Sequence, residues 1–287
     1  MRKKILGSMD FHTSRIFRWV RLQNVAHRST AFPFQTTAGY PIHATLTLPT
    51  IGQAPFPVAV LCPGIDDDGA VFTNLQTPIH PAELCNLGIA ALHFDPTGRG
   101  DSWGEEDFGG PEHQDLVAGL IDALMSDERI DSNRCAVIGI SLGISMAVGG
   151  AIQAQKAPVF VLDWEGPSDR EIMTSGGRRM TPALGHKLSD DIYWHPREAV
   201  RLIMDLPCGY VRLQAYRDHA QGLEHRHMWR MLRAAKDKCA WFQLNDHPVN
   251  HLPERPVFLH SNRLSAHHAI LRICQRYLLE SSTATSC

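Results

Sequence analysis

The chain has 287 residues, of which 44% are hydrophobic and 20% charged, so it is long enough to bury the core of one large globular domain. Its formal net charge is -2 and its isoelectric point about 6.8, which leaves no basic surface suited to a polyanion. We therefore expect no nucleic-acid partner.

The first segment, residues 1–30, is predicted to be an N-terminal arm with some amphipathic character. Its basic opening is followed by polar residues such as Asp10 and His12 rather than by an apolar run, which predicts neither a signal peptide nor a membrane span. Seven cysteines, an odd number with no C-x-x-C spacing, indicate buried reduced thiols. These features together predict a cytoplasmic protein.

The first predicted elements are two strands that form a hairpin. Residues 32–37 and 42–48 alternate between apolar and polar side chains, and the segment between them has the composition of a turn. Continuous apolar runs at 57–62 and 89–94 predict buried strands. A helix is expected between those two strands, over 70–86.

The most informative motif is Gly-Ile-Ser-Leu-Gly at 139–143, which comes after a helix predicted over 114–126. It directly follows an apolar strand at 135–138 and precedes a run of small residues at 144–151 that predicts a helix. The order strand, G-x-S-x-G, helix is typical of a nucleophile elbow, in which a strained turn exposes a serine hydroxyl at the edge of a sheet. We predict that Ser141 is a nucleophile; the alternative is a glycine-rich turn without a catalytic role.

The second half of the chain continues the alternation of strands and helices. Apolar runs at 159–162, 210–215 and 241–244 predict three further strands, and helices are expected over 222–237 and 263–279. This order predicts an α/β fold with a mostly parallel central sheet, helices on both faces and the antiparallel hairpin at its N-terminal side.

One segment, residues 165–192, interrupts the alternation, because it contains few long apolar runs. We expect it to form a small cap over the site, and the alternative is a long surface loop. The predicted organisation is an arm over 1–30 and one domain over 31–287 that includes this cap.

The order of the elements over residues 32–280 resembles the α/β-hydrolase superfamily. The segments at 94–102 (Phe-Asp-Pro-Thr-Gly-Arg-Gly-Asp-Ser) and 129–134 are most similar to the dienelactone-hydrolase and prolyl-oligopeptidase-type branches. Those branches often have a second glycine after G-x-S-x-G, where this chain has Ile144. The resemblance implies a serine hydrolase fold with no metal and no organic cofactor.

The resemblance also implies a catalytic triad, in the chain order serine, acid, histidine. Asp218, after the strand at 210–215, matches the position of the acid, and His251, on the loop after the last strand, matches the base. Asp218 could instead cap the following helix. The alternative acids are Asp163 and Glu165, and the alternative base is His247, which Pro248 biases toward an extended conformation.

Most other histidines are expected on helix surfaces. This group includes His225, His227, His267 and His268. His247 and His251 have the spacing of a metal-binding pair, but Pro248 argues against a helix there and no third ligand is evident, so we expect no metal site.

Two backbone N–H groups are predicted to form an oxyanion hole, those of Leu142, directly after the serine, and of Ile65. In the family a His-Gly-X sequence supplies the second donor, and this chain has Pro-Gly-Ile at 63–65. The next residues, Asp66, Asp67 and Asp68, are expected to point outward or cap the following helix. In the alternative, one of them lies at the mouth of the site and disfavours anionic substrates.

These features predict a serine hydrolase that cleaves a small-molecule carboxylic ester through an acyl-enzyme on Ser141. Short or medium acyl groups are expected, because no large cap is predicted. A thioesterase or acyltransferase would use the same triad, and a binding protein on a hydrolase fold is the alternative from another class. A homodimer is compatible with the sequence.

Overall fold

A computed structural model describes residues 27–175, 186, 188–249, 251–261 and 263–280. Eleven strands occur in this part of the chain: β1 (His27–Ala31), β2 (Phe34–Gln35), β3 (Pro41–Ile42), β4 (Ala44–Pro49), β5 (Phe56–Cys62), β6 (Ala90–Phe94), β7 (Ile130–Ile140), β8 (Phe160–Trp164), β9 (Gly209–Leu213), β10 (Phe242–Leu244) and β11 (His247–Val249).

Nine of these strands form one sheet, in the order β1-β4-β6-β5-β7-β8-β9-β10-β11. The strands from β6 to β10 in that order are parallel to one another, whereas β1 and β4 at one edge and β11 at the other run antiparallel to their neighbours. The predicted fold, a mostly parallel sheet with an antiparallel N-terminal portion, is confirmed.

Helices cover both faces of the sheet. The α-helices are α1 (Pro81–Asn86), α2 (Pro111–Met125), α3 (Gly143–Gln153), α4 (Arg170–Ser175), α5 (Asp191–Trp194), α6 (Ala199–Leu202), α7 (Arg226–Lys238) and α8 (Arg263–Cys274). One core packs α2, α3 and α7 against the sheet, and a second core packs α1 and α8 against the opposite face. The continuous apolar runs of the parallel strands follow from this, because both of their faces are buried.

The elements differ from the prediction at two places. The helix expected over 70–86 is divided into a 3₁₀ turn (Gly69–Thr73) and α1, since Pro78 and Pro81 cannot continue a helix from the preceding turn. The predicted hairpin exists only as the short ladder of β2 and β3, while β4 pairs with β1 and β6.

Two predicted segments are described only in part. β1 begins at His27, within the range expected for the arm, and the first 26 residues lie outside the described residues. Of the predicted cap, the structure describes α4, the start of α5 and the residues beside them, whereas 176–185 and 187 lie outside the described part.

Six described cysteines are free thiols, and five of them are buried. Burial raises the pKa of Cys85, Cys135 and Cys274 to about 12, because the thiolate would lose its hydration. Within the described ranges, no helix has both the length and the apolar character needed to cross a bilayer.

Candidate active site

Ser141 occupies a strained turn between β7 and α3. Its φ of 52° lies in the left-handed region that residues with a side chain rarely adopt, and its N–H donates to the carbonyl oxygen of Trp164 at 3.0 Å. A Cβ on Gly143 would lie 2.5 Å from the carbonyl oxygens of both Cys62 and Pro63. Only glycine therefore lets α3 begin against the end of β5, which is the geometry of an elbow.

The loop after β5 lies directly beside the serine. An ideal Cβ on Gly64 would be 3.5 Å from the Cβ of Ser141, so the Ile65 segment borders the hydroxyl. Among the described residues, no acceptor is hydrogen-bonded to the backbone N–H of Ile65 or of Leu142. Both groups are thus free to donate to a ligand, and the Leu142 N–H stands at the positive end of α3.

Arg99 holds this loop from the glycine-rich segment after β6. Its Nη1 donates to the carbonyl oxygens of Gly64 at 2.5 Å and Asp67 at 3.1 Å. Its Nε and Nη2 bind the carboxylate of Glu106, and these bonds lower the pKa of Glu106 although its burial acts in the opposite direction. The arginine is buried, so the loop that contains Ile65 is held by a guanidinium shielded from solvent.

Two of the three aspartates after Ile65 have contacts that define the direction of their carboxylates. Asp68 caps the following 3₁₀ turn by accepting from the N–H of Ala70 at 2.9 Å, as expected for this group. The Oδ2 of Asp67 lies 3.1 Å from the Cβ position of Gly64, which places a carboxylate close to the serine turn.

A small apolar cluster borders the elbow. Its buried members are Leu142, Met173 of α4 and Trp194 of α5. Three partly buried side chains pack against them: Ile65, Phe108 and Tyr193. Two of its members, Leu142 and Ile65, are the residues that supply the free N–H groups. An apolar group bound in this cluster would therefore lie next to the predicted oxyanion hole.

Asp218 follows β9, as predicted, but its carboxylate is occupied by a buried network. Oδ1 accepts from the N–H groups of Ala220 and Gln221, each at 2.8 Å, and Oδ2 accepts from Gln214 at 2.9 Å. The Nε2 of His227 lies 3.3 Å from Oδ2. Burial opposes ionisation, but these partners together lower the pKa of Asp218 well below its usual range.

The two predicted bases lie at the β11 side of the sheet. His247 is the first residue of β11 and pairs with Leu244, so β8, β9 and β10 separate its strand from β7. His251 follows β11 and is exposed. Within the described part of the chain, no hydrogen bond joins Asp218 or Ser141 to either histidine, and the triad with Asp218 and His251 stays a prediction.

A different carboxylate–imidazole pair stands beside the elbow. Glu165, directly after Trp164, has a left-handed φ of 53°, and its Oε2 accepts from the Nδ1 of His219 at 2.7 Å. The imidazole of His219 stacks on the Trp164 ring, with centroids 5.1 Å apart and an angle of 21°. Burial lowers the pKa of His219, but the bond and charge of Glu165 more than offset this, and the pKa is raised.

Glu165 was expected only as an alternative acid, and His219 was not predicted as a base. The available signal was positional: Glu165 directly follows β8 and His219 lies shortly after β9, and the carboxyl ends of parallel strands meet at one edge of a sheet.

The prediction that His227 and His267 lie on helix surfaces is wrong. Both are buried. The Nδ1 of His227 lies 3.2 Å from the carbonyl oxygen of Gly166, and that of His267 lies 3.0 Å from that of Pro78. A buried imidazole is stable where such polar partners compensate for its lost hydration.

Within the described residues, two groups of side chains have donor atoms close enough to share a cation: His43, Asp95 and Asp101, and the set Glu165, Asp218 and His219. In the first, Asp95 accepts from the N–H of Gly69 and of Asp101, each at 2.8 Å, and so organises the loops around it. In the second, the carboxylates accept several N–H groups.

Comparisons with known proteins agree with the fold. No family model matches the sequence, and no curated protein matches it. Among solved structures, 2,6-dihydroxy-pseudo-oxynicotine hydrolase is similar with a TM-score of 0.67 at 14% identity, over 88% of this chain and 69% of that chain. The esterase Pf2001 of Pyrococcus furiosus gives a TM-score of 0.63 at 14% identity, over 89% and 95%.

A puromycin-hydrolyzing peptidase of Mycobacterium tuberculosis is also similar, with a TM-score of 0.67 at 15% identity. The match covers 88% of this chain but only 39% of the peptidase. The likeness to these structures and the strand order show an α/β-hydrolase fold, which is the fold that the sequence resemblance implied.

Proposed function

We propose that this protein is a serine hydrolase that cleaves carboxylic esters. The observation that carries the proposal is the strained backbone of Ser141, which lies beside two N–H groups, those of Leu142 and Ile65, that have no hydrogen-bond acceptor in the described part of the chain. Left-handed backbone at residues with a side chain clusters at active sites, and here it coincides with two free donors beside a serine hydroxyl.

The proposed reaction uses these groups in two halves. The Ser141 hydroxyl attacks the ester carbonyl carbon while a base takes its proton, and the carbonyl oxygen becomes an oxyanion that the two N–H groups stabilise. The bond to the alcohol then breaks, and the alcohol leaves with the proton held by the base. Water attacks the acyl-enzyme in the second half and releases the carboxylic acid.

The apolar cluster supports a substrate with a short or medium acyl chain. Met173, Phe108 and Tyr193 lie next to the oxyanion donors, and their apolar surface would bury a few methylene groups at about 0.8 kcal/mol each. The carboxylate of Asp67 near Gly64 supports neutral or cationic substrates over anionic ones, because it would repel a negative group. The free thiols of the described cysteines support a cytoplasmic location.

The test compares wild type with Ser141→Ala on p-nitrophenyl esters of two to eight carbons, a matched thioester, a matched anilide and an acidic ester. Ser126→Ala, which removes an exposed hydroxyl at the end of α2, is the control. We expect ester hydrolysis that falls at least about 1000-fold in Ser141→Ala and is unchanged in the control. Hydrolysis that survives in Ser141→Ala, or no hydrolysis of any substrate, would contradict the proposal. Faster turnover of the thioester would favour a thioesterase.

A further inference from the structure

We propose that the base of this hydrolase is His219, held in position by Glu165, rather than a histidine on the loop after the last parallel strand. The inference rests on the proposed function, because a base is needed only if Ser141 is a nucleophile. It follows from contacts between the ends of three neighbouring strands.

The first contact links the serine to the pair through one residue. Ile140 and Trp164 are register partners at the ends of β7 and β8, and the Trp164 carbonyl accepts the N–H of Ser141 at 3.0 Å. The indole ring of the same Trp164 stacks on the His219 imidazole. The nucleophile and the imidazole thus contact opposite ends, backbone and side chain, of one tryptophan.

The second set of contacts holds the imidazole through Glu165. Its Oε1 accepts the N–H of Ala215 at 2.8 Å, and its Oε2 accepts both the backbone N–H and the Nδ1 of His219, at 3.0 and 2.7 Å. The carboxylate is buried, and its orientation is fixed by bonds to two residues of the segment after β9. Glu165 is therefore a positioning residue for the ring.

This arrangement also determines the tautomer of His219. An ionised carboxylate only accepts hydrogen bonds, so Nδ1 must carry the proton that it shares with Glu165. In the neutral ring, Nε2 then has a free lone pair, which a general base requires. Among the described residues, no donor is hydrogen-bonded to Nε2, and the side chain is 34% exposed.

The imidazole lines a cavity at the carboxyl end of β8. The cavity has a volume of about 160 Å³ and is lined in part by Trp164, Glu165, His219, His260 and Ala266. In the described part of the chain, the Ser141 hydroxyl has no hydrogen-bond partner either. Hydrogen bonds between a nucleophile and its base commonly shorten only when substrate is bound.

In the reaction, the Oγ–H proton of Ser141 passes to Nε2 of His219 as Oγ bonds to the carbonyl carbon. The same proton passes from Nε2 to the alcohol oxygen when the ester C–O bond breaks. In deacylation Nε2 takes a proton from the attacking water and returns it to Oγ. Ester and water become acid and alcohol, and the enzyme is unchanged.

The charged groups around the ring predict the pH dependence. Glu165 contacts Nδ1, Asp218 Oδ1 lies 3.8 Å from it, and Arg217 and His260 line the same cavity. Burial and the charge of Arg212 lower the pKa of His219. The carboxylates of Glu165 and Asp218 outweigh both effects, so the pKa is raised. Because the base acts when neutral, the acidic limb of kcat/KM should lie above the ordinary histidine value of about 6.5.

The experiment measures kcat/KM against pH for wild type and for asparagine variants of three histidines, with folding checked by thermal unfolding. We expect His219→Asn to lose at least about 100-fold, whereas His251→Asn and His247→Asn stay within about three-fold of wild type. Glu165→Gln should move the acidic limb to lower pH, because the anion that favours the protonated ring is gone. Added imidazole should partly restore His219→Ala, which a purely structural role would not allow.

The outcomes separate the inference from the proposed function. If wild type is active and Ser141→Ala inactive, but a folded His219→Asn keeps activity within about three-fold, only the assignment of the base fails. A loss in His251→Asn or His247→Asn equal to that in His219→Asn overturns the assignment as well. If the His219 variants do not fold, the His219 titration is followed by NMR in wild type. A pKa from that titration that differs from the kinetic one overturns the assignment.

Discussion

The Nη1 of Arg99 donates to the carbonyl oxygen of Gly64 at 2.5 Å, within the loop that presents the N–H of Ile65. The two residues come from segments that follow different strands, β6 and β5, which lie side by side in the sheet. The bond therefore makes the position of one proposed oxyanion donor depend on a buried guanidinium. Arg99 is a positioning residue, since it reaches the reaction only through this loop.

We expect Arg99→Lys to lower kcat about 10- to 100-fold with little change in KM. Lysine keeps the charge but lacks the planar guanidinium that binds two carbonyl oxygens and Glu106 together. A displaced oxyanion donor would mainly reduce the stabilisation of the transition state. Steady-state kinetics on a p-nitrophenyl ester would measure this, with the half-exposed Arg129→Lys as control. A change confined to KM would speak against the role.

The close approach of α3 to the end of β5 predicts the effect of Gly143→Ala. The added Cβ would collide with backbone carbonyl oxygens at 2.5 Å, so the elbow must shift, and we expect loss of most activity together with a lower melting temperature. Gly88→Ala is the matched control: its φ is 84°, but nothing lies within 4 Å, so it should cost about 1 kcal/mol of stability and leave kcat unchanged. Equal activities of the two variants would contradict the packing.

The buried ion pair of Asp163 and Arg212 supports the sheet beneath the site. Asp163 Oδ2 accepts from Arg212 Nη1 at 2.6 Å and from the hydroxyl of Tyr210 at 2.5 Å, and all three side chains are fully buried. Asp163→Asn would leave the guanidinium without its anion and should lower the free energy of unfolding by about 3–5 kcal/mol.

Urea denaturation measures this loss, and the partly exposed pair of Arg134 and Asp131 provides the control. Arg134→Gln should change the free energy of unfolding by less than about 1 kcal/mol. The folded fraction of Asp163→Asn should keep its activity; a folded variant without activity would instead favour Asp163 as the acid, which the sequence left open.

The apolar cluster predicts acyl-chain selectivity. Met173→Ala would remove most of a buried side chain next to Leu142, and we expect the ratio of kcat/KM for a hexanoyl over an acetyl ester to rise about 10-fold. Met204→Ala, at a side chain that is 41% exposed, should leave the ratio unchanged. An unchanged ratio in Met173→Ala would place the acyl group elsewhere.

The elbow could be predicted from the sequence because its signals are local. Glycines at 139 and 143 between an apolar strand and a run of small residues determine the turn within a few residues, and the alternation of strands and helices determines the parallel sheet.

The pairing of Glu165 with His219 could not be predicted in this way, because the contact spans 54 residues and depends on the order of strands in the sheet. The resemblance instead implies Asp218 and a histidine after the last strand. The burial of His227 was also hidden, since only tertiary structure supplies the carbonyl oxygen of Gly166 that its ring contacts.

The central claim, that Ser141 is the nucleophile, is tested most directly by covalent labelling with a fluorophosphonate, followed by intact mass and peptide mapping. We predict that one equivalent is incorporated, that it maps to Ser141, and that Ser141→Ala incorporates none. Labelling at another residue, or a folded wild-type protein that takes up no label under conditions in which a known serine esterase reacts fully, would contradict the account.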